Sequence, residues 1–168
     1  MINKKIEDAL NEQINAEFWS GYLYLSMSCH FAGEGLDGVA NWFRIQFQEE
    51  QAHAMALLDY LLSRGGKVAL KPIADVPVKW DSVKDAFLAT YDHEQKVTGL
   101  INALYALAET EKDYATRQKL NGFIAEQVEE EEDVTHIINS LNLIAGDGAG
   151  MYQFDLQMAQ RTYTAPTL

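Results

Sequence analysis

The sequence predicts an all-α fold, a four-helix bundle with one long crossover and a short fifth C-terminal helix, on three observations. Apolar residues recur at steps of three and four over four long stretches, all three prolines (Pro72, Pro77, Pro166) fall outside those stretches, and one aperiodic segment is long enough to cross the molecule. The helices are expected near residues 5–33, 38–64, 82–110 and 114–143, with the short fifth near 149–162, all in one domain spanning residues 1–168.

Taken in order, the first two helices are separated only by Gly33-Glu34-Gly35, a break so tight that they must be antiparallel neighbours. Gly65-Gly66 ends the second helix, because glycine enters the left-handed region without the usual steric penalty. The following segment, Lys67 to Asp81, holds two prolines and no helical period, and a structureless loop of that length needs a geometric reason. A helix over 39–64 is about 39 Å long, and fifteen extended residues reach about 50 Å, so the loop can run back along the whole bundle. The third helix then lies parallel to the second. Ser82 with Asp85 is the capping pattern that restarts the chain there. The fifth helix, after Gly146-Asp147-Gly148, carries Met151, Phe154 and Met158 on one face; it is too short to persist alone and needs burial against neighbours.

Composition narrows the function. The 168 residues carry a formal net charge of -12 and a sequence pI near 4.6, which repels nucleic acid and anionic membranes and favours cations as partners. Cys29 is the single cysteine, so no intrachain disulfide forms and a reducing compartment is expected. The start Met1-Ile2-Asn3-Lys4-Lys5-Ile6-Glu7-Asp8 turns acidic where a signal peptide runs apolar, and no apolar run approaches the ~20 residues that span a bilayer. A soluble, unprocessed, cytoplasmic protein is expected.

The informative feature is where the apolar stripes are interrupted. On the first helix Ile14, Glu17, Gly21, Tyr24, Ser28 and Phe31 share a face, so Glu17 and Tyr24 lie two turns apart on it. On the second, Phe43, Phe47, Glu50, Ala54, Leu57 and Leu61 put Glu50 at a core position, with His53 three residues on. The third helix sets Glu94 among Phe87, Tyr91, Ile101, Leu104 and Ala108. The fourth sets Gln127 among Leu120, Ile124, Val134, Ile138 and Leu141, with Glu130 one turn beyond. Singly, each has a bland reading: a solvated glutamate, a hydrogen-bonded core histidine, a packed tyrosine. Together they lie at matched depth in one bundle, and unpaired buried carboxylates each cost several kcal/mol.

Metal ions are the economical explanation. Bundles that hold two metals use one glutamate from each of two helices and a Glu-x-x-His from each of the other two. Glu17 and Glu94 match the single ligands and Glu50 with His53 matches one pair; Gln127 and Glu130 stand at the second pair's positions with different identities. Oxygen and imidazole donors without thiolate suit iron or manganese. The acidic run from Glu129 to Asp133 would ordinarily be a solvated face, yet Glu126 and Glu129 share a face with Glu130, and cations beside the main site would relieve their repulsion. His30, His93 and His136 are read as surface or core residues.

With those residues in view, the sequence resembles bacterial non-haem ferritins over nearly its whole length. The resemblance rests on Leu10-Asn11-Glu12-Gln13-Ile14-Asn15-Ala16-Glu17, Gln48-Glu49-Glu50-Gln51-Ala52-His53, Tyr91-Asp92-His93-Glu94-Gln95 and Glu126-Gln127-Val128-Glu129-Glu130-Glu131, four motifs in the family's order. It implies that Glu17, Glu50, His53, Glu94, Gln127 and Glu130 form a diiron ferroxidase centre, that Glu49, Glu126, Glu129 and Glu130 bind a third iron, and that Tyr24 is a redox-capable tyrosine beside them. It also implies a hollow 24-subunit homo-oligomeric cage storing ferric mineral, with ferrous iron and dioxygen or peroxide as substrates, and with the fifth helix lining a symmetry axis. Bacterioferritins are similar but hold haem through a methionine where this chain has Gln51, and they end the fourth-helix pair in histidine where it has Glu130, so no haem is expected. Rubrerythrins need more cysteines, and miniferritins bind iron between subunits. A purely structural bundle with hydrogen-bonded interior polar residues would take up no iron.

Overall fold

Side chains and glycines at the ends of each apolar stripe fix where the helices begin and stop in the computed structural model, which describes residues 2–168. Among those residues there are five helices and no strand: α1 (Lys4–Gly33), α2 (Asp37–Ser63), α3 (Val83–Thr110), α4 (Tyr114–Ile144) and α5 (Gly148–Met158). The Asn3 side chain accepts from Lys5 N, Ser82 from Asp85 N, Asp113 from Thr116 N and Asp147 from Gly150 N, satisfying amides at four helix starts. Gly35 and Gly65 adopt φ of 77° and 74°. Those turns let Leu36 N reach Phe31 O and Gly66 N reach Leu61 O, both at 3.0 Å, which closes the ends of α1 and α2.

The crossover runs beside α1 and in its direction. Ala69 N donates to Asn11 Oδ1 (2.7 Å), Trp19 Nε1 to Asp75 O (3.3 Å), Ser26 Oγ to Pro77 O (2.7 Å), and His30 Nε2 meets Trp80 O (3.1 Å). Residue numbers rise together on both segments, so the loop carries the chain the full length of the bundle and α3 starts beside the end of α1. On the other seam numbers run oppositely: Gln46 with Glu130, Tyr60 with Thr116, and Arg64 with Asp113 join α2 to an antiparallel α4.

The core falls into two apolar halves. One gathers Leu23, Phe31, Val39, Phe43, Phe87, Val134 and Phe154; the other gathers Ile6, Leu10, Leu57, Leu61, Ile101, Leu104, Leu120 and Phe123. The buried face of α4 is Leu120, Phe123, Gln127, Glu130, Val134, Ile137 and Leu141, with Ile124 and Ile138 only half-buried, and on α3 Thr90 is buried where Tyr91 is half-buried. The sequence stripes were one residue out at Tyr91, Ile124 and Ile138: on α4 the adjacent Phe123 and Ile137 are apolar too and period alone does not choose between them, and on α3 Thr90 is buried in place of the aromatic because its hydroxyl is satisfied by Ala86 O at 2.9 Å. One consequence is that Glu130 lies in the buried stripe itself.

The fifth helix also ends earlier than expected, at Met158 and not near 162. Asn41 Nδ2 captures the carbonyls of Met158 (3.3 Å) and Arg161 (3.0 Å), drawing the chain out of helix. In return α5 caps α2: Leu36 supplies no side-chain cap, and Asp155 Oδ1 accepts from Val39 N at 2.8 Å. A Cβ on Gly38 would lie 1.7 Å from Asp155 O, so only glycine allows this approach. Asp155→Ala is expected to cost about 1 kcal/mol, the usual loss for a helix cap. Gly38→Ala should lower the melting temperature further, because α5 must move, and thermal unfolding of the two variants checks the order.

Candidate metal centre

Between the two apolar halves lies a layer of polar side chains, one contribution from every long helix. Glu17, Glu50, His53, Glu94, Gln127 and Glu130 are all buried. Gly21 makes the first of these meetings possible: a Cβ there would be 3.4 Å from Glu50 Cβ and from Phe47, so α1 and α2 lie close enough for Glu17 to face Glu50. One ligand atom each from Glu17, Glu50 and His53 falls within 4.8 Å of the others. His53 Nδ1 is 3.4 Å from Glu50 Oε2.

From the opposite hairpin, Glu94 accepts from the Tyr24 hydroxyl and from Gln127 Nε2 (3.2 Å), and Gln127 Nε2 also meets Thr98 Oγ1 (3.2 Å). Gln127 thus acts here as a donor that fixes a neighbouring carboxylate. Glu130 Oε2 accepts from Gln46 Nε2 at 2.8 Å, and Glu17 Oε1 from Gln13 Nε2 at 2.8 Å. The amides of Gln13 and Gln46 were missed in the sequence: Gln13 stands four residues before Glu17, the spacing at which two side chains meet on a helix, whereas Gln46 reaches Glu130 across 84 residues and carries no local signal.

The expected outer cluster is only partly assembled. Glu126 Oε1 lies 3.9 Å from His53 Nε2. Glu49 turns to Arg161, whose Nη2 donates to Glu49 Oε2 at 2.7 Å. Glu129 is exposed on α4. Arg161 carries no sequence signal for this role, since the contact spans 112 residues. His93, which was read as structural, packs with Trp19 and Tyr24, hydrogen-bonds Ser20 at 2.8 Å, and is driven down to a pKa of about 4 by burial.

The electrostatics explain what the layer lacks. Burial, then the charge of Glu50, holds the Glu17 carboxyl well above its usual range; burial, then the charges of Glu94 and Glu130, does the same to Glu50. Burial raises Glu94 against the opposing hydrogen bonds from Tyr24 and Gln127, and burial followed by Glu94 lifts Glu130 to about 8. Burial and the Glu94 charge likewise keep Tyr24 in its neutral phenol form. Glu17 Oε2, Glu50 Oε2 and His53 Nε2 are buried with no hydrogen-bond partner among the described residues. Carboxylate oxygens of Glu17 and Glu50 with the Nδ1 of His53 on one side, and His53 Nε2 toward Glu126 on the other, are donor types that suit hard or borderline divalent cations.

The folded, metal-free chain therefore keeps protons on these carboxyls at pH values where the unfolded chain has lost them. With more protons bound to the folded state, stability falls as pH rises, from the ordinary glutamate value of 4.5 up to the raised values, about 8 for Glu130. The metal-free protein should accordingly melt at lower temperature as pH is raised through that window. Glu50→Gln should flatten the slope and raise the melting temperature at its alkaline end, as thermal unfolding across a pH series would show.

Comparison with known proteins bears on the family and the fold. A family described as Ferritin-like domain matches residues 7–144. A bacterial non-heme ferritin of Bacteroides fragilis is 45% identical over 161 residues, covering 96% of this chain and 100% of that protein. One from Staphylococcus aureus is 32% identical over 163 residues, covering 97% and 98%. Among solved structures, an Archaeoglobus fulgidus ferritin engineered into a closed form superposes with a TM-score of 0.96 at 44% identity, covering 98% of this chain and 100% of that one. The open pore ferritin of the same archaeon gives a TM-score of 0.95 at 44% identity, covering 96% and 100%.

Proposed function

The chain belongs to the ferritin family, and from that premise we propose that it oxidises ferrous iron at the buried polar layer and stores the ferric product as mineral inside a hollow homo-oligomeric cage. The observation that carries the reading is the buried trio Glu17, Glu50 and His53, whose ligand atoms lie within 4.8 Å of one another among carboxylates that repel. No described helix is long and apolar enough to cross a membrane; a cytoplasmic working place is part of the proposal.

Two ferrous ions are the substrate. Glu17, Glu50 and His53 on the first hairpin and Glu94 and Glu130 on the second hold them, and four ionised carboxylates balance two divalent charges. Binding therefore drives off the protons that burial keeps on the empty layer, and affinity rises with pH. Each ion gives up one electron; dioxygen takes the pair with two protons to become hydrogen peroxide, or peroxide takes it to become water. Gln127 adds no charge, and by fixing Glu94 through hydrogen bonds it leaves the product less tightly held than a fifth carboxylate would. Tyr24, hydrogen-bonded to Glu94, orients that carboxylate and is the redox-capable residue nearest the layer. Glu49, Glu126 and Glu129 form the proposed third iron position, on the way from the layer to the cavity.

Glu50→Ala or His53→Ala is expected to abolish the fast phase of ferrous oxidation, a loss of at least ~100-fold, while leaving helix content unchanged. Stopped-flow absorbance after anaerobic iron addition checks the rate, and an unchanged fast phase in both variants would remove these residues from the site. Light scattering should return a mass many times the 18.9 kDa chain; a monomer or dimer at micromolar concentration contradicts the cage.

A further inference from the structure

The segment after α5 is strapped to the bundle at two places that bracket the His53–Glu126 contact. At its near end the Arg161 guanidinium stacks on Trp42, 4.6 Å from the ring centroid, donates to Trp42 O at 3.3 Å, and pairs with Glu49 at 2.7 Å. Asn41 holds its backbone carbonyl. At the far end Leu168 lies on Gly122, where a Cβ would stand 2.9 Å from Leu168 Cα, and packs against the apolar half that holds Leu57, Leu120 and Phe123. Lys119 Nζ reaches Leu168 O at 3.5 Å.

The seam between α2 and α4 gives these anchors a position. Gln46 faces Glu130 and Tyr60 faces Thr116, so Glu49 lies at the level of Gln127 and Gly122 at the level of Ala54, just past His53. Glu126 and the 3% exposed His53 side chain, whose Nε2 has no hydrogen-bond partner, fall between. The strap thus crosses the face through which the buried layer communicates with Glu49 and Glu126. Its one fixed cation sits on the first of those carboxylates.

The geometry points to Arg161 as a built-in competitor for metal: docking of residues 159–168 and occupation of the Glu49–Glu126 position by a cation exclude one another. This rests on the dinuclear reading of the buried layer and assigns the C-terminal segment a function that the layer does not need for oxidation. A guanidinium on Glu49 and a metal ion on Glu49 require the same oxygen lone pairs, and two cations at hydrogen-bond distance from one carboxylate repel. Docking therefore weakens cation binding at this position, and by linkage a bound cation loosens the strap by the same factor. Iron already on the dinuclear site would be retained until incoming ions displace Arg161.

Zinc(II), a redox-inert divalent ion, tests this on the assembled protein. Calorimetry of wild type, Arg161→Gln and Arg161→Lys gives the stoichiometry and affinity of each class of site, and amide hydrogen exchange over residues 160–168 reports strap docking. The weakest class of zinc site is expected to tighten by about tenfold in Arg161→Gln, a typical coupling between two sites, and to change little in Arg161→Lys, which keeps the charge. Zinc should also accelerate exchange over residues 160–168 in wild type. Equal affinity of that class in wild type and Arg161→Gln, or exchange that zinc leaves unchanged, overturns the proposal. If two zinc ions per subunit still bind, the dinuclear reading stands without it; if wild type binds none, both fall.

Discussion

The mutual repulsion of four buried glutamates is the constraint on which the rest of the structure depends. An apolar bundle of this length would be stable without them, and replacing buried charge by packed hydrocarbon is often stabilising. Here Glu17, Glu50, Glu94 and Glu130 divide the core into two halves, and those halves have to hold the layer closed without help from it. The stacked rings of Phe31, Phe43 and Phe87, with Trp42 edge-on, supply rigidity on one side. Gln13 and Gln46 each give one hydrogen bond to Glu17 and Glu130, Tyr24 and Gln127 hold the two oxygens of Glu94, and Glu17 Oε2 and Glu50 Oε2 stay open. The layer is thus oriented but not satisfied, which distinguishes a site from a buried polar network.

Most of this was legible in the sequence because the signal is redundant. Ser82 announces the start of α3, the crossover is marked by prolines and by its length, and Glu17, Glu50 and Glu94 interrupt stripes whose neighbours declare their depth. What was not legible depends on contacts between distant segments. Asp155 serves α2 from a helix more than a hundred residues away, and Arg161 reaches Glu49 across a similar span. Nothing local to either residue announces the partner. The one-residue phase errors on α4 arose for a different reason: Phe123 and Ile124, or Ile137 and Ile138, are both apolar, and only packing decides which turns inward.

The outer acids illustrate the limit of spacing arguments. Glu49, Glu126 and Glu129 look alike in sequence, as acidic residues adjacent to inward-facing ones. In the fold they have three environments: Glu49 is paired with Arg161, Glu126 is half-buried beside His53, and Glu129 is exposed. A helical wheel assigns direction, whereas the occupant of that direction is set by the rest of the chain.

The crossover along α1 also shapes how the chain reaches this state. Because it separates two tight hairpins, most helix contacts are local in sequence, and low contact order favours rapid formation of each hairpin on its own. Glu17, Glu50 and His53 belong to the first hairpin; Glu94, Gln127 and Glu130 belong to the second. Neither half alone confronts the full repulsion, which appears only when the hairpins dock. Docking of the hairpins at neutral pH is therefore coupled to proton uptake, and the proposed metal, held by residues of both halves, would act as a template for that docking.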